Sequence, residues 1–94
     1  MFQVYILKSL KDNKKTYVGL TTKGVINRLK EHNLNESKYT KTFSPWRLIY
    51  YENFTCMQCA ENRERFLKNG VGFRLRKLIA ENFKIVSSAM QNGE

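Results

Sequence analysis

Residues 2–20 read FQVYILKSLKDNKKTYVGL, and this stretch decides how the chain folds. In residues 2–8 the β-forming side chains place even-numbered and odd-numbered positions on opposite faces of a strand. Residues 9–15 are polar and rich in turn formers, and residues 16–20 form a second short apolar segment. The pattern therefore predicts a β-hairpin with a loop of about seven residues.

The rest of the chain alternates between helical and strand patterns. We predict a helix capped by Thr21 or Thr22 that ends near His32, a surface loop over residues 33–45 and a third strand over residues 46–54. Thr55 is predicted to cap a helix over residues 56–68, and a last helix covers about 72–83. The order β-β-α-β-α-α indicates an α/β fold of the α+β sandwich type, in which a small three-stranded antiparallel sheet is flanked by about three helices. We assign residues 1–86 to this domain and expect residues 87–94 to form a flexible tail.

The charge balance narrows the choice of partners. Seventeen Lys and Arg residues against eight Asp and Glu residues give a net charge of +9. This excess favours a polyanion, with nucleic acid ahead of an anionic membrane. No segment approaches the roughly 18 apolar residues of a membrane span, and no basic leader precedes the first apolar segment. We therefore expect a cytoplasmic protein that binds DNA and does not enter a membrane.

Four polar side chains are predicted to converge near the hairpin. Tyr5 and Tyr17 lie on paired strands, where their rings can share one face of the sheet. Arg28 and His32 are four residues apart on the following helix and therefore share a helix face. Gly19 is expected to let the backbone turn sharply into that helix. Each feature alone fits a purely structural role, so only their joint spacing indicates a functional site.

That spacing resembles a known family. Val4-Tyr5-Ile6-Leu7 followed by Tyr17-Val18-Gly19-Leu20-Thr21 resembles the paired tyrosine motifs of the GIY-YIG nuclease superfamily. The pair Arg28 and His32 resembles its Arg-x-x-x-His segment, and residues 60–68 resemble the helix that supplies its carboxylate. This resemblance selects Glu64 rather than Glu61. It covers roughly residues 2–80 and is similar to short stand-alone members and to the nuclease domain of the excision-repair endonucleases.

Two departures from the family pattern concern the paired motifs. Gln3 stands where the first motif has its glycine. Leu20 stands where many members have a basic residue near the phosphate, although members without that residue exist. The second departure bears on whether the chain is active.

The resemblance implies endonucleolytic hydrolysis of DNA phosphodiester bonds with Mg²⁺ or Mn²⁺ as cofactor. Glu64 would be the metal ligand, because Mg²⁺ accepts a lone carboxylate together with waters and phosphate oxygens. Arg28 would brace the phosphate oxygens, Tyr17 would activate the attacking water, and Tyr5 and His32 would orient the water and Tyr17 or relay a proton. Since a tyrosine ordinarily has a pKa of about 10, this role requires nearby cations, for which Arg28 and His32 are suitable.

Substrate binding is expected to use basic side chains around the sheet and helices. The predicted DNA contacts are Lys23, Lys30, Lys38, Lys41, Arg63 and Lys68. So small a domain predicts weak sequence preference, with repair, recombination and DNA processing all open as roles and RNA open as a substrate. Cutting both strands would need a homodimer or two events, and a partner protein is open as the source of targeting.

Two other interpretations remain at this point. A non-catalytic nucleic-acid-binding module of the same fold is supported by Leu20. A protein-interaction or redox domain is supported by Cys56 and Cys59, whose C-x-x-C spacing suits a redox pair but lacks a second pair for a zinc site. The simpler explanation of the cysteines is packing in the first turn of a helix in a reducing compartment.

Overall fold

The computed structural model describes residues 1–12, 14–34 and 38–93, and its sheet lies between two groups of helices. The antiparallel strands are ordered β2-β1-β3, which confirms the predicted three-stranded sheet and α+β fold. The elements are β1 (Phe2–Ser9), β2 (Thr16–Thr21), α1 (Val25–Asn33), α2 (Lys38–Phe43), β3 (Trp46–Phe54), α3 (Met57–Lys68) and α4 (Gly70–Gly93).

Each face of β1 packs into its own apolar cluster, as the alternating pattern predicts. Val4 and Ile6 lie under α3 and α4, with Val18, Ala60 and Leu67 as buried neighbours. Tyr5 and Leu7 lie on the opposite face, under α1, with Val25 and Trp46 as buried neighbours. A central strand covered on both faces loses almost all contact with water. Side chains on β1 are therefore more deeply buried than those on β2, which is an edge strand.

The loop and the last helix differ from the prediction. A short helix, α2, occupies Lys38–Phe43 within the segment predicted to be a loop. Its carbonyl at Thr40 accepts a hydrogen bond of 2.9 Å from the indole nitrogen of the buried Trp46, a tertiary contact that local sequence does not display. α4 begins at Gly70 and continues to Gly93, beyond the predicted end at residue 83. No helix within the described ranges is long and apolar enough to cross a membrane.

The start of α1 is stabilised by a side chain from another strand. The Val25 backbone N–H donates to Gln3 Oε1 at 3.0 Å, and Gln3 Nε2 donates to Asn53 Oδ1 at 2.8 Å. The predicted cap was wrong, because Thr21 Oγ1 accepts from the Lys23 N–H at 3.0 Å, outside the helix. Gln3 thus joins β1, α1 and β3, which gives the departure from glycine at this position a structural role.

The cap of α3 is also displaced by one residue from the prediction. Cys56, not Thr55, is the N-cap, and its Sγ accepts a hydrogen bond of 3.2 Å from the Cys59 N–H. Both cysteines are exposed thiols. The expected burial of two small packing residues was therefore wrong, although their position at the start of the helix was correct.

Candidate active site

A buried hydrogen bond joins the first strand to the first helix at the candidate site. Tyr5 Oη lies 2.9 Å from His32 Nε2, and the two residues are only 1% and 3% exposed. Tyr5 reaches His32 because it projects from the central strand towards the α1 face, where Val25, Leu29 and His32 recur at helical spacing. Neither side chain has direct access to bulk water.

Tyr17 packs against this pair from the edge strand. Its ring meets the His32 imidazole edge-on with centroids 4.6 Å apart, and it lies 6.3 Å from the Tyr5 ring. Trp46 packs near Tyr17 at a centroid distance of 6.2 Å. Tyr17 is partly exposed, in contrast to Tyr5. The predicted sharing of one sheet face by the two tyrosines is confirmed, and only Tyr17 of the two reaches the solvent.

Gly19 provides the space that Tyr5 occupies. The two residues are direct cross-strand partners, and a Cβ on Gly19 would lie 2.3 Å from Tyr5 Oη and 2.5 Å from Tyr5 Cζ. Gly19 lies within β2 and is not among the glycines with positive φ, which are Gly24 and Gly70. The expected sharp turn at Gly19 was therefore wrong. The glycine is required by the close approach of a phenol, not by backbone conformation.

Arg28 lies beside the Tyr5 phenol and is held by a carboxylate. Its Nη1 donates to Glu31 Oε1, and Glu31 Oε2 also pairs with Lys23 Nζ at 3.5 Å. These bonds raise the pKa of Arg28 above its ordinary value, chiefly through the hydrogen bond to Glu31. The same bond lowers the pKa of Glu31. The site therefore contains a permanently charged guanidinium whose planar donors are oriented before any substrate binds.

Burial sets the protonation states of the buried pair. Burial raises the pKa of Tyr5 to about 12, with a further increase from Tyr17 and a partial decrease from a hydrogen bond to Arg28. Burial, followed by the positive charge of Arg28, lowers the pKa of His32 below its usual value. Tyr5 is thus protonated and His32 neutral at pH 7. The expectation that His32 supplies positive charge to Tyr17 was wrong, and Arg28 is the cation at this position.

Glu64 approaches the site from α3. Its negative charge contributes to the raised pKa of Tyr5. The carboxylate is 25% exposed and accepts a hydrogen bond of 3.2 Å from Lys68 Nζ. No group of three or more His, Cys, Asp and Glu side chains in the described parts of the chain is arranged to enclose a metal. A single open carboxylate fits Mg²⁺ or Mn²⁺ that takes its other ligands from water and substrate phosphates, as Mg²⁺ commonly does.

The predicted DNA-binding side chains occupy different environments. Lys23 and Lys68 are held near the site through Glu31 and Glu64 respectively. Arg63 instead forms a two-pronged ion pair with Glu52 of β3, with both N···O distances at 2.9 Å. Lys30 and Lys41 are exposed on α1 and α2. Lys38 begins α2, and its side chain lies outside the described part of the chain.

Sequence reasoning missed three residues that shape the site. Gln3 caps α1, and Trp46 packs against Tyr17, but both act across large separations in the chain. Glu31 orients Arg28 from one helical turn away. The i,i+3 spacing of opposite charges on a helix was a visible signal for this third contact.

The comparison with protein families agrees with this geometry. A family model described as the GIY-YIG catalytic domain matches residues 1–77. The chain therefore belongs to the GIY-YIG nuclease superfamily, which makes nucleic acid its substrate class. Nucleases of this superfamily generally depend on a divalent metal. A comparison with curated proteins returned no match.

Proposed function

We propose that this chain is a metal-dependent endonuclease that hydrolyses DNA phosphodiester bonds. The observation that carries the proposal is the arrangement of Tyr17, which is the partly exposed member of a tyrosine pair and packs at 4.6 Å against a buried histidine. Arg28 and the charge of Glu64 act on the same group of rings. This combination brings a proton acceptor, an anion-binding fork and a carboxylate to one face of a small domain.

Tyr17 is the residue we assign to activation of the attacking water. Tyr5 is protonated at neutral pH and 1% exposed, so it neither accepts the proton nor meets the substrate. Tyr5 and His32 act as positioning residues, because their hydrogen bond holds the imidazole against which the Tyr17 ring packs. A proton acceptor must lie within hydrogen-bond reach of the water, and only the edge-strand tyrosine meets that condition.

Arg28 is the residue we assign to the phosphate oxygens. Its guanidinium already donates to Glu31, so its orientation is set before the phosphate arrives. Oriented donors stabilise the charge that develops at a phosphorus centre without reorganising during the reaction. Glu31 is accordingly a positioning residue for Arg28.

Glu64 is the residue we assign to the cofactor. A divalent metal bound there would supply a Lewis acid that stabilises negative charge on the phosphate and leaving oxygens. Lys68 pairs with Glu64 and limits the repulsion between the carboxylate and incoming DNA. Weak sequence preference suits a cytoplasmic role in DNA repair, recombination or processing, with the structure of the DNA as the recognition signal.

The test is a cleavage assay on plasmid, single-stranded, flapped and branched DNA with Mg²⁺ and Mn²⁺. Tyr17→Phe and Glu64→Gln should each lower the cleavage rate by at least about 100-fold. Glu61→Gln is the matched control, because it makes the same change three residues earlier on α3 and should retain activity. Folding of all variants is checked by thermal unfolding.

The outcomes separate the proposed enzyme from its main alternative. Cleavage by the wild-type protein and by Glu61→Gln alone supports the endonuclease. Cleavage that survives both Tyr17→Phe and Glu64→Gln contradicts the assignment of the site. Salt-sensitive DNA binding without cleavage, and without any effect of Glu64→Gln, would favour the non-catalytic binding module.

A further inference from the structure

A basic groove lies away from the residues assigned to cleavage. It encloses about 640 Å³ between the start of β2 and one face of α4. Five cationic side chains line it, and Glu81 is the carboxylate among its lining residues. The five cations are Lys8, Lys14, Lys15, Arg76 and Lys77. None of them belongs to the set of DNA contacts predicted from the sequence.

Lys8 is the most informative member of the groove, because it is a buried cation. It is 8% exposed, and its Nζ donates to the Ala80 carbonyl at 3.3 Å. No carboxylate pairs with it in the ion pairs formed between described residues. Removing an ammonium from water is costly unless an opposite charge compensates it. An anion bound in the groove would provide that compensation.

The groove and the candidate active site share the edge strand. Lys15 immediately precedes β2, and Tyr17 is the second residue of that strand, so the two lie about 7 Å apart along the backbone. On β1, Lys8 lies three residues beyond Tyr5, or about 10 Å. Phosphates advance by about 3.4 Å per nucleotide along each strand of duplex DNA. These separations correspond to two or three nucleotides.

We propose that this basic groove, formed by Lys8, Lys14, Lys15, Arg76 and Lys77, binds the phosphate backbone of the nucleic-acid substrate two or three nucleotides from the scissile phosphate. The inference deepens the proposed function and rests on it for the position of the scissile phosphate. Contacts of this kind position a duplex without reading its sequence. Such a groove supplies affinity that the small catalytic surface lacks and agrees with weak sequence preference.

The test measures binding and does not depend on cleavage. A fluorescent duplex of about 20 base pairs is titrated in EDTA with the full chain, with the Lys14→Gln/Lys77→Gln variant and with the Lys11→Gln/Arg65→Gln control, at several salt concentrations. Both variants lower the net charge by two, and all four side chains are exposed. Each lost phosphate contact reduces the salt slope by about 0.9, so the groove variant should lose about 2 from the slope of log K against log[salt]. The control should keep the wild-type slope.

A second arm uses vesicles that contain anionic phospholipid, titrated with the same three proteins. Equal slopes for the groove variant and the control on DNA would overturn the proposal. Vesicle binding that depends on Lys14 and Lys77, with no change on DNA, would also overturn it and assign the groove to a membrane surface. A reduced DNA slope in a protein that cuts no DNA would support the groove while contradicting the endonuclease, so the two proposals fail separately.

Discussion

The Tyr5 phenol and the His32 imidazole, 27 residues apart in the chain, form a buried hydrogen bond of 2.9 Å. This bond ties the central strand to the last turn of α1 and sets the position of the imidazole. Because the Tyr17 ring packs edge-on against the same imidazole, the bond also positions the one tyrosine of the pair that reaches solvent. The stability of the fold and the geometry of the site are therefore linked through one pair of side chains.

Tyr5→Phe should reduce the free energy of unfolding by about 1–3 kcal/mol, because it leaves a buried imidazole nitrogen without its partner. Urea unfolding followed by circular dichroism measures the loss. Tyr51→Phe is the matched control on the neighbouring strand, where the side chain is exposed, and it should change stability by less than about 0.5 kcal/mol. Equal effects of the two substitutions would contradict the structural importance of the Tyr5–His32 bond.

Gly19→Ala should destabilise the fold by about 1–3 kcal/mol, since the new methyl group would overlap the Tyr5 phenol. Combining it with Tyr5→Phe removes the nearest atom, the phenol oxygen. The double variant should therefore lose less stability than the sum of the two single variants, as expected for residues in contact. Strict additivity in denaturant unfolding would show that Gly19 is required for some other reason.

The stability of the protein should fall as the pH drops below about 6.5 because of His32. Its pKa is lowered in the folded protein, so the unfolded chain binds a proton at higher pH than the folded chain does. The stabilising contribution is complete above the ordinary histidine pKa and is lost as the pH falls through the lower folded value. The lowered pKa values of Glu31 and Glu52 act in a more acidic range, below about 4.5.

His32 is the only histidine in the chain, so its titration can be followed without ambiguity by NMR. The midpoint should lie below that of a histidine in a model peptide, and unfolding free energies measured between about pH 8 and pH 5 should decrease with acidity. In His32→Gln this pH dependence should disappear if the variant folds. A midpoint at or above the model-peptide value would contradict a buried, neutral imidazole.

Glu52 and Arg63 should show a coupling free energy of about 1 kcal/mol in a double-mutant cycle. Their two-pronged ion pair joins β3 to α3, the helix that presents Glu64. The cycle uses Glu52→Gln and Arg63→Gln, with Arg65→Gln as an exposed control on the same helix. A reduced salt slope in DNA binding without coupling would instead support the DNA contact predicted for Arg63.

Local pattern predicts the elements well because it depends on neighbouring residues. Alternation in residues 2–8 and 16–20 identified both strands of the hairpin, and the third strand was predicted with its observed bounds, Trp46–Phe54. The caps were harder to predict, since the side chain that caps α1 comes from Gln3 on another element. The α2 helix was missed for a related reason, because it is held partly by the indole of Trp46.

The sequence by itself determined the family, the order of the strands along the chain and the set Tyr5, Tyr17, Arg28 and His32, because strand pairing and helical spacing bring these side chains to one face. The tertiary structure decided which tyrosine is buried. That outcome follows from the order β2-β1-β3, which places Tyr5 in the centre of the sheet and Tyr17 at its edge. It depends on the pairing of β1 with β3 across more than thirty residues, such as Leu7 with Leu48. The basic groove has the same origin, because only the packing of α4 on the sheet brings Arg76 and Lys77 to Lys8.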